Sequence, residues 1–297
     1  RVITMENCNN NTISGITITG GLAEGGTPDN NGGGIYTRYS NLTLTHVTIT
    51  GNTATSSGGG MYLSYSNPAL THVTITGNTA EYGGGMRLTD SNPALSHVTI
   101  AGNTANNRGG GMRLNSSNPV LSHVTITGNT AGNQGGGMYV YYCNPTLTNS
   151  IIWDNSPESI LLDSDEESII TYSDIEGGFE GEGNIDADPL FTNPENGDYT
   201  LQEGSPCINT GNPNLWYEDL DGTASDMGAT GGLFALPNFT SYDFGEVGDI
   251  GSTAQFTLYN YRNTPITISS VSFGTSSFTT DASYPITIEP LETGIIN

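Results

Sequence analysis

Two hydrophobic rhythms run through residues 32–149. The short one is strict alternation. Met61 and Leu63 are separated by Tyr62 and Ser64, and Val73 and Ile75 by Thr74 and Thr76. Alternation with β-branched residues is the pattern of a strand with one buried face. The long rhythm is repetition. Segment 58–80 returns little changed at 32–54, 83–105 and 109–131, and His46, His72, His97 and His123 are 26, 25 and 26 residues apart. Gly58-Gly59-Gly60, Asn67-Pro68 and Gly77-Asn78 interrupt the runs and supply turns. A unit of about 25 residues cannot bury its apolar face alone, so neighbouring units must stack. Three short strands and three turns per repeat predict one coil of a parallel β-helix. Each strand then pairs with its counterpart one coil away, roughly 4.8 Å off. Equivalent residues form columns along the axis, with His72 directly over His97.

The regular coils are expected over 32–149, after an irregular first coil at 1–31. Ile16–Gly20 matches Val47–Gly51 at an interval of 31 residues, which places an extra loop near 22–31. The chain opens on a strand-like run, Val2-Ile3-Thr4-Met5, so a processed or trimmed start is expected, with further coils or a covering element before it. After Asn144-Pro145 the repeat degrades: Asn149 takes the histidine place and Trp153 that of Thr127. Alternation at 159–165 and 168–176 predicts one more coil with acidic outward positions (Asp163, Asp165, Glu166, Glu167, Asp174, Glu176), then a looser coil at about 185–209. The β-helix is thus expected over 1–235, with degenerate coils at 150–230. From 236 the composition shifts to short alternating strands (254–260, 266–268, 271–273) with Gly and Asn-Thr-Pro turns. These predict a partial immunoglobulin-like β-sandwich over 236–297, short of the roughly 100 residues of a full one and so truncated or completed by a neighbour's strand.

Charge narrows the function classes. Six basic residues, all arginine, face 30 acidic ones, for a net charge of −24. Such a surface repels nucleic-acid phosphates and anionic lipids. No run approaches 18 apolar residues, so no transmembrane helix is expected. Cys8, Cys143 and Cys207 lie far apart in coil order and read as small buried apolar residues rather than a disulfide framework.

The stretch 186–211 (Asp-Ala-Asp-Pro-Leu-Phe through Cys-Ile-Asn-Thr-Gly), followed by Asp219-Leu-Asp-Gly222 and Asp226-Met-Gly228, resembles the end of secreted bacterial right-handed β-helix proteins, often called a choice-of-anchor ending. The Gly-Gly-Gly-Met and Ser-Asn-Pro repeats resemble the same proteins and, more distantly, polymorphic outer membrane protein repeats. Residues 236–297 resemble a second anchor-adjacent module. The resemblance, over about residues 1–230, implies a right-handed solenoid and an extracellular location. It implies no one activity, because such repeats occur on adhesins, surface proteins and polysaccharide-active enzymes alike.

Four sets of columns carry candidate chemistry. The first follows the glycine triplet: Tyr36, Tyr62, Arg87, Arg113 and Tyr139, with Arg38 and Tyr141 two places on in their own coils. Alternation turns these outward. Tyrosine planes with interleaved guanidinium forks suit a sugar chain; the bland alternative is a ladder that only supports the sheet. Tyr39, Tyr65, Asp90, Ser116 and Tyr142 sit at the following turn, where alternation does not determine facing. The enzymatic alternative is a polysaccharide lyase or glycoside hydrolase using Arg87, Arg113 and Asp90, but one carboxylate is too few for a calcium-dependent lyase or a paired-carboxylate hydrolase, and −24 works against an acidic substrate. The second set is the threonine face: Thr17/Thr19, Thr48/Thr50, Thr74/Thr76, Thr99 and Thr125/Thr127. It is reminiscent of ice-binding solenoids, although threonine is simply a good outward strand residue. The third is the histidine column, continued by Asn149, which reads as a bend where a polar ring or amide bonds the backbone. Last, Asp219 and Asp221 have the flavour of a calcium loop without its remaining acidic positions, so a structural calcium is the one cofactor considered. These features predict a non-catalytic extracellular adhesion or stalk protein with glycans or other surface proteins as partners and end-to-end self-assembly at open edges.

Overall fold

The computed structural model describes residues 1–163, 168–214, 217, 219, 223–232, 235–237, 256–260, 266–268, 271, 283–289 and 293–296. The chain divides into two units, 1–232 and 233–297. Among the described residues there is no α-helix.

The first unit is a parallel β-solenoid. One circuit runs through Met61–Ser64, Ala69–Thr71, Thr74–Thr76 and Thr79–Tyr82. Counterparts pair in register: Met61 with Met86, Met86 with Met112, Ile75 with Ile100, Ala80 with Ala105. Three parallel sheets result, of seven, twelve and five strands. The His72 and His97 rings lie 4.9 Å apart on adjoining rungs, as the period requires. The inward columns, such as Leu44, Leu70, Leu95 and Leu121, close one continuous core. Ile160–Leu162, Ile169–Thr171 and Asp174–Ile175 form the expected further coil. The looser coil expected at 185–209 is not a coil. Phe191–Asn193 and Asp198–Leu201 pair antiparallel around a short 3-10 turn, Pro194–Asn196.

Each circuit must turn its corners without leaving buried amides unpaired. Two side-chain ladders do this inside the coil. In the first, Asn52, Asn78, Asn103, Asn129 and Asn155 stack: Asn78 donates its backbone N–H and its Nδ2 to Asn103 Oδ1, both at 3.0 Å, and Nδ2 also reaches Ile49 O at 2.9 Å. In the second, Ser40, Ser66, Ser91 and Ser117 each accept the backbone N–H of the preceding rung. Cys143 ends this ladder by accepting the Ser117 N–H, and Cys8 begins it by donating to Ser40. These two cysteines are therefore ladder members rather than apolar filler, while Cys207 is buried elsewhere; all three are free thiols.

Thr37 stands in the inward column beside Leu63, fully buried, and its hydroxyl has no hydrogen-bond partner. Valine has the same shape without the unpaired polar atom. Thr37→Val is therefore expected to raise stability by about 1 kcal/mol, measured as a higher denaturation midpoint at unchanged slope; no rise would mean that the hydroxyl is satisfied.

In the second unit, Ala235–Pro237, Phe256–Asn260 and Thr293–Ile296 form an antiparallel sheet, and Ile266–Ile268 pairs antiparallel with Ile286–Ile288. Of the strand expected at 271–273, residues 272 and 273 lie outside the described residues.

Candidate functional site

The Tyr/Arg column points outward, yet outward is not the same as open. At each glycine triplet the third sheet meets the first at a re-entrant corner, so outward side chains of the two sheets touch. Strand passage there leaves no room for a side chain: a Cβ on Gly84 would lie 2.4 Å from Thr104 O and 2.6 Å from Gly110 O. Tyr82 and Arg108 of the third sheet stand over the column. The Arg113 guanidinium is 4.3 Å from the Tyr82 ring, and the Arg108 guanidinium 5.0 Å from that of Tyr139. Tyr36 is covered by the Arg1 guanidinium at 4.5 Å and stacks on Tyr62 at 5.6 Å. Tyr139 donates its hydroxyl to Asp163 and accepts from Arg108 Nη1; burial first, then the Asp163 bond, pushes it up to about 12. Tyr36 is 3% exposed and Tyr139 1%, so neither offers a ring face to a sugar. Tyr62, Arg87, Arg113 and Tyr141 are partly exposed, and Arg38 is exposed.

The open aromatic surface is the next column, at the turn. Tyr39, Tyr65, Asp90, Ser116 and Tyr142 all have left-handed backbone, φ 48–52°. A residue at the apex of such a turn projects away from both flanking strands. Tyr39 is 46% exposed and Tyr65 50%, their rings stacked at 5.0 Å, with the Arg38 guanidinium 5.1 Å from Tyr39. The charge of Asp90 first, and then its hydrogen bond with Tyr65, raises the Tyr65 pKa. Tyr142, also exposed, meets Tyr141 edge-on at 4.3 Å. The recurrence of tyrosine one place beyond a strand end was the available signal for this ridge. Asp90 belongs to it, whereas Arg87 and Arg113 belong to the corner. Among the described residues the one ion pair is Arg1 to Asp29 at 3.6 Å, so Asp90 is not ion-paired with Arg87 or Arg113.

The histidine column is a left-handed bend, φ 52–53°, with ring centroids 5.1, 4.9 and 4.9 Å apart. What the repeat did not reveal is its cover. The described residues of 205–232 fold back across the outer face of the second sheet. His97 Nε2 meets Gly231 O at 3.0 Å, and His123 Nε2 meets Ser225 Oγ at 2.7 Å. Ala229 N–H donates to Thr125 Oγ1, and Gly228 N–H to Asn149 O. Ile151, Phe191, Cys207 and Met227 form a second small core beneath this segment. Burial lowers His97 and His123 to about 3; His72, in the same column, also falls to about 3, by burial first and the neighbouring histidines second.

The same fold-back bears on three expectations. Thr125 and Thr127 are buried, which shortens the flat threonine array considered for ice. Asp174, expected to face solvent, is buried; its carboxylate accepts from Ala187 N–H and the Cys207 thiol, and burial raises it to about 6. Asp219 accepts from Gly232 N–H at 2.6 Å and Asp226 N–H at 3.0 Å, so it staples this segment; burial and then the Asp226 charge raise it to about 6. Asp221, its proposed calcium partner, lies outside the described residues. Among the described residues no three His, Cys, Asp or Glu side chains are grouped to hold a metal ion.

Residues 2–132 match the family described as a right handed beta helix region. That stretch lies within the parallel β-solenoid of the first unit, so the family likeness and the geometry agree there. The comparison with curated proteins and the comparison with solved structures each returned no match.

Proposed function

We propose that this right-handed β-helix is a non-catalytic, extracellular segment of a cell surface that binds glycans along its turn ridge. The observation that carries the reading is the exposed Tyr39–Tyr65 stack with Arg38 beside it. Aromatic faces take the C–H face of a sugar ring, and guanidinium and carboxylate groups at the rim hydrogen-bond its hydroxyls. The coil spacing makes the platform rigid, so little ordering cost falls on binding. The choice-of-anchor resemblance of 186–228 supports secretion, and the antiparallel second unit serves as an immunoglobulin-like spacer. A fold of this kind also hosts hydrolases and lyases. What favours binding over cleavage is that Asp90 pairs with the exposed Tyr65 and forms no ion pair with Arg87 or Arg113.

The test is a glycan array followed by titration calorimetry on the best ligand. Tyr39→Ala/Tyr65→Ala is expected to weaken binding at least about tenfold, while Tyr36→Phe, inside the closed column, leaves it unchanged. Unaltered binding by the double variant would discard the ridge, and new reducing ends or unsaturated sugars would discard the non-catalytic reading.

A further inference from the structure

The net charge of the chain conceals a segregation. The coils at 32–149 contain Arg38, Arg87, Arg108 and Arg113 against Glu81 and Asp90, a formal +2 within a chain of −24. The remaining acidic residues are all in the first coil or beyond the regular repeat. At 0.15 M salt the screening length is about 8 Å, so a ligand in the regular coils responds to the arginines beside it more than to distant carboxylates.

Three of these arginines share the re-entrant corner. Arg87 and Arg113 are direct register partners on adjacent strands. Tyr82, on the third sheet, has its ring 6.0 Å from the Arg87 guanidinium and 4.3 Å from that of Arg113. The Tyr139 ring is shared in the same way, 5.5 Å from Arg113 and 5.0 Å from Arg108. Hydrogen-bond partners are few. Arg87 Nε reaches Thr89 Oγ1 at 3.5 Å, and Arg108 Nη1 reaches Tyr139 Oη at 3.1 Å. The Nε groups of Arg108 and Arg113 are buried without a partner. No described carboxylate is within ion-pair distance of any of the three; Asp163 touches the corner only through the Tyr139 hydroxyl.

Partly desolvated like charges on neighbouring rungs repel one another and leave strong donors unused. Burial first, and then Arg113, lowers Arg87 to about 10, the same repulsion seen from the proton's side. An anion in the corner relieves the repulsion and supplies the missing acceptors, and guanidinium forks match carboxylate and sulfate geometry. We infer that the Arg87–Arg108–Arg113 corner binds the carboxylate or sulfate groups of an acidic polysaccharide. This rests on the glycan reading above and deepens it: the polymer is a polyanion, its rings on the tyrosine ridge and its charges in the corner. Three strand residues, roughly 10 Å, and one to three rungs of about 4.8 Å each separate the two, so one chain can engage both. The net charge of −24, which taken as a whole works against an acidic ligand, is not where this ligand would lie.

The experiment compares dextran, carboxymethyl dextran and dextran sulfate, which share one backbone, by calorimetry on the whole chain in 0.15 M and 0.5 M NaCl. The wild type is expected to bind one or both charged polymers at least tenfold more tightly than dextran, and less tightly at the higher salt. Arg87→Gln/Arg113→Gln should cancel that preference. Arg108→Gln alone should reduce it severalfold, and circular dichroism should show each variant folded. Equal affinity for neutral and charged dextrans, or a preference that survives in both arginine variants, overturns the corner and leaves the ridge standing. Undiminished affinity of Tyr39→Ala/Tyr65→Ala for the charged polymers supports the corner and overturns the ridge. Failure of the wild type to bind either charged polymer overturns the inference outright.

Discussion

Asn103→Ala is expected to cost about 3–4 kcal/mol, a large fraction of the stability of a single domain. Asn103 Oδ1 accepts two donors from Asn78, and Asn103 Nδ2 donates to Ile75 O and Asn129 Oδ1, both at 2.9 Å. Alanine leaves the buried Asn78 N–H without an acceptor and strips one partner from each of the other three groups. Water cannot substitute, since Asn78, Asn103 and Asn129 are all fully buried. A second asparagine ladder runs outside the coil, where Asn92 Oδ1 accepts the Asn118 N–H at 2.6 Å. Asn92 is exposed, water can take its place, and Asn92→Ala should cost under about 1 kcal/mol. Because solenoid stability propagates between nearest neighbours, the inner variant should also broaden or split the denaturation curve. Equal losses for the two variants would mean that the inner ladder does not hold the coils together.

Lowering the pH from 7 to 5 is expected to remove stability, through the histidines under the fold-back segment. His97 and His123 are neutral when folded, with pKa values of about 3 against 6.5 when exposed. The unfolded chain therefore takes up their protons first. Their contribution is fully present above pH 6.5 and is lost as the pH falls toward 3. At pH 5 the two together cost about 4 kcal/mol, and His72 shifts in the same direction. The hydrogen bond of His97 to Gly231 O opposes the shift but is outweighed by burial, while at His123 the hydrogen bonds agree with it. Asn149 Oδ1 accepts the Asn212 N–H, which turns Asn149 Nδ2 toward His123 Nε2 at 3.2 Å and opposes a proton there. The described groups facing the covered histidines include Ser96 and Ser122 at Nδ1 and Asn149, Ser225, Gly231 and Tyr217 from the other elements. Asp174 and Asp219 act oppositely. Raised to about 6, they take up protons in the folded state first and return part of the loss between pH 6 and 4. Asn149 shows that an amide fits the same left-handed bend, φ 51°. His97→Asn/His123→Asn should accordingly remove most of the loss between pH 7 and 5, measured by urea denaturation at both pH values. A loss unchanged in the double variant would place the acid sensitivity elsewhere.

The coil period, the inward columns, the stacking of His72 on His97 and the polar bend at Asn149 could all be read from the sequence. In a solenoid, residues one period apart become neighbours, so a linear repeat is already a map of contacts. Thr37 broke the inward column visibly, and the excess of arginine over acid at 32–149 was equally readable, but averaging charge over the whole chain concealed it. Whether Tyr36 and Tyr139 were open and Tyr39 and Tyr65 were not, or the reverse, could not be read. Alternation says which side of a strand a residue leaves, while exposure depends on the angle between sheets, which the glycine triplets make re-entrant. The cover over His97 and His123 was invisible for a different reason. It joins His123 to Ser225 and Thr125 to Ala229, contacts between a repeat and a segment that repeats nothing, and only the folded chain brings them together.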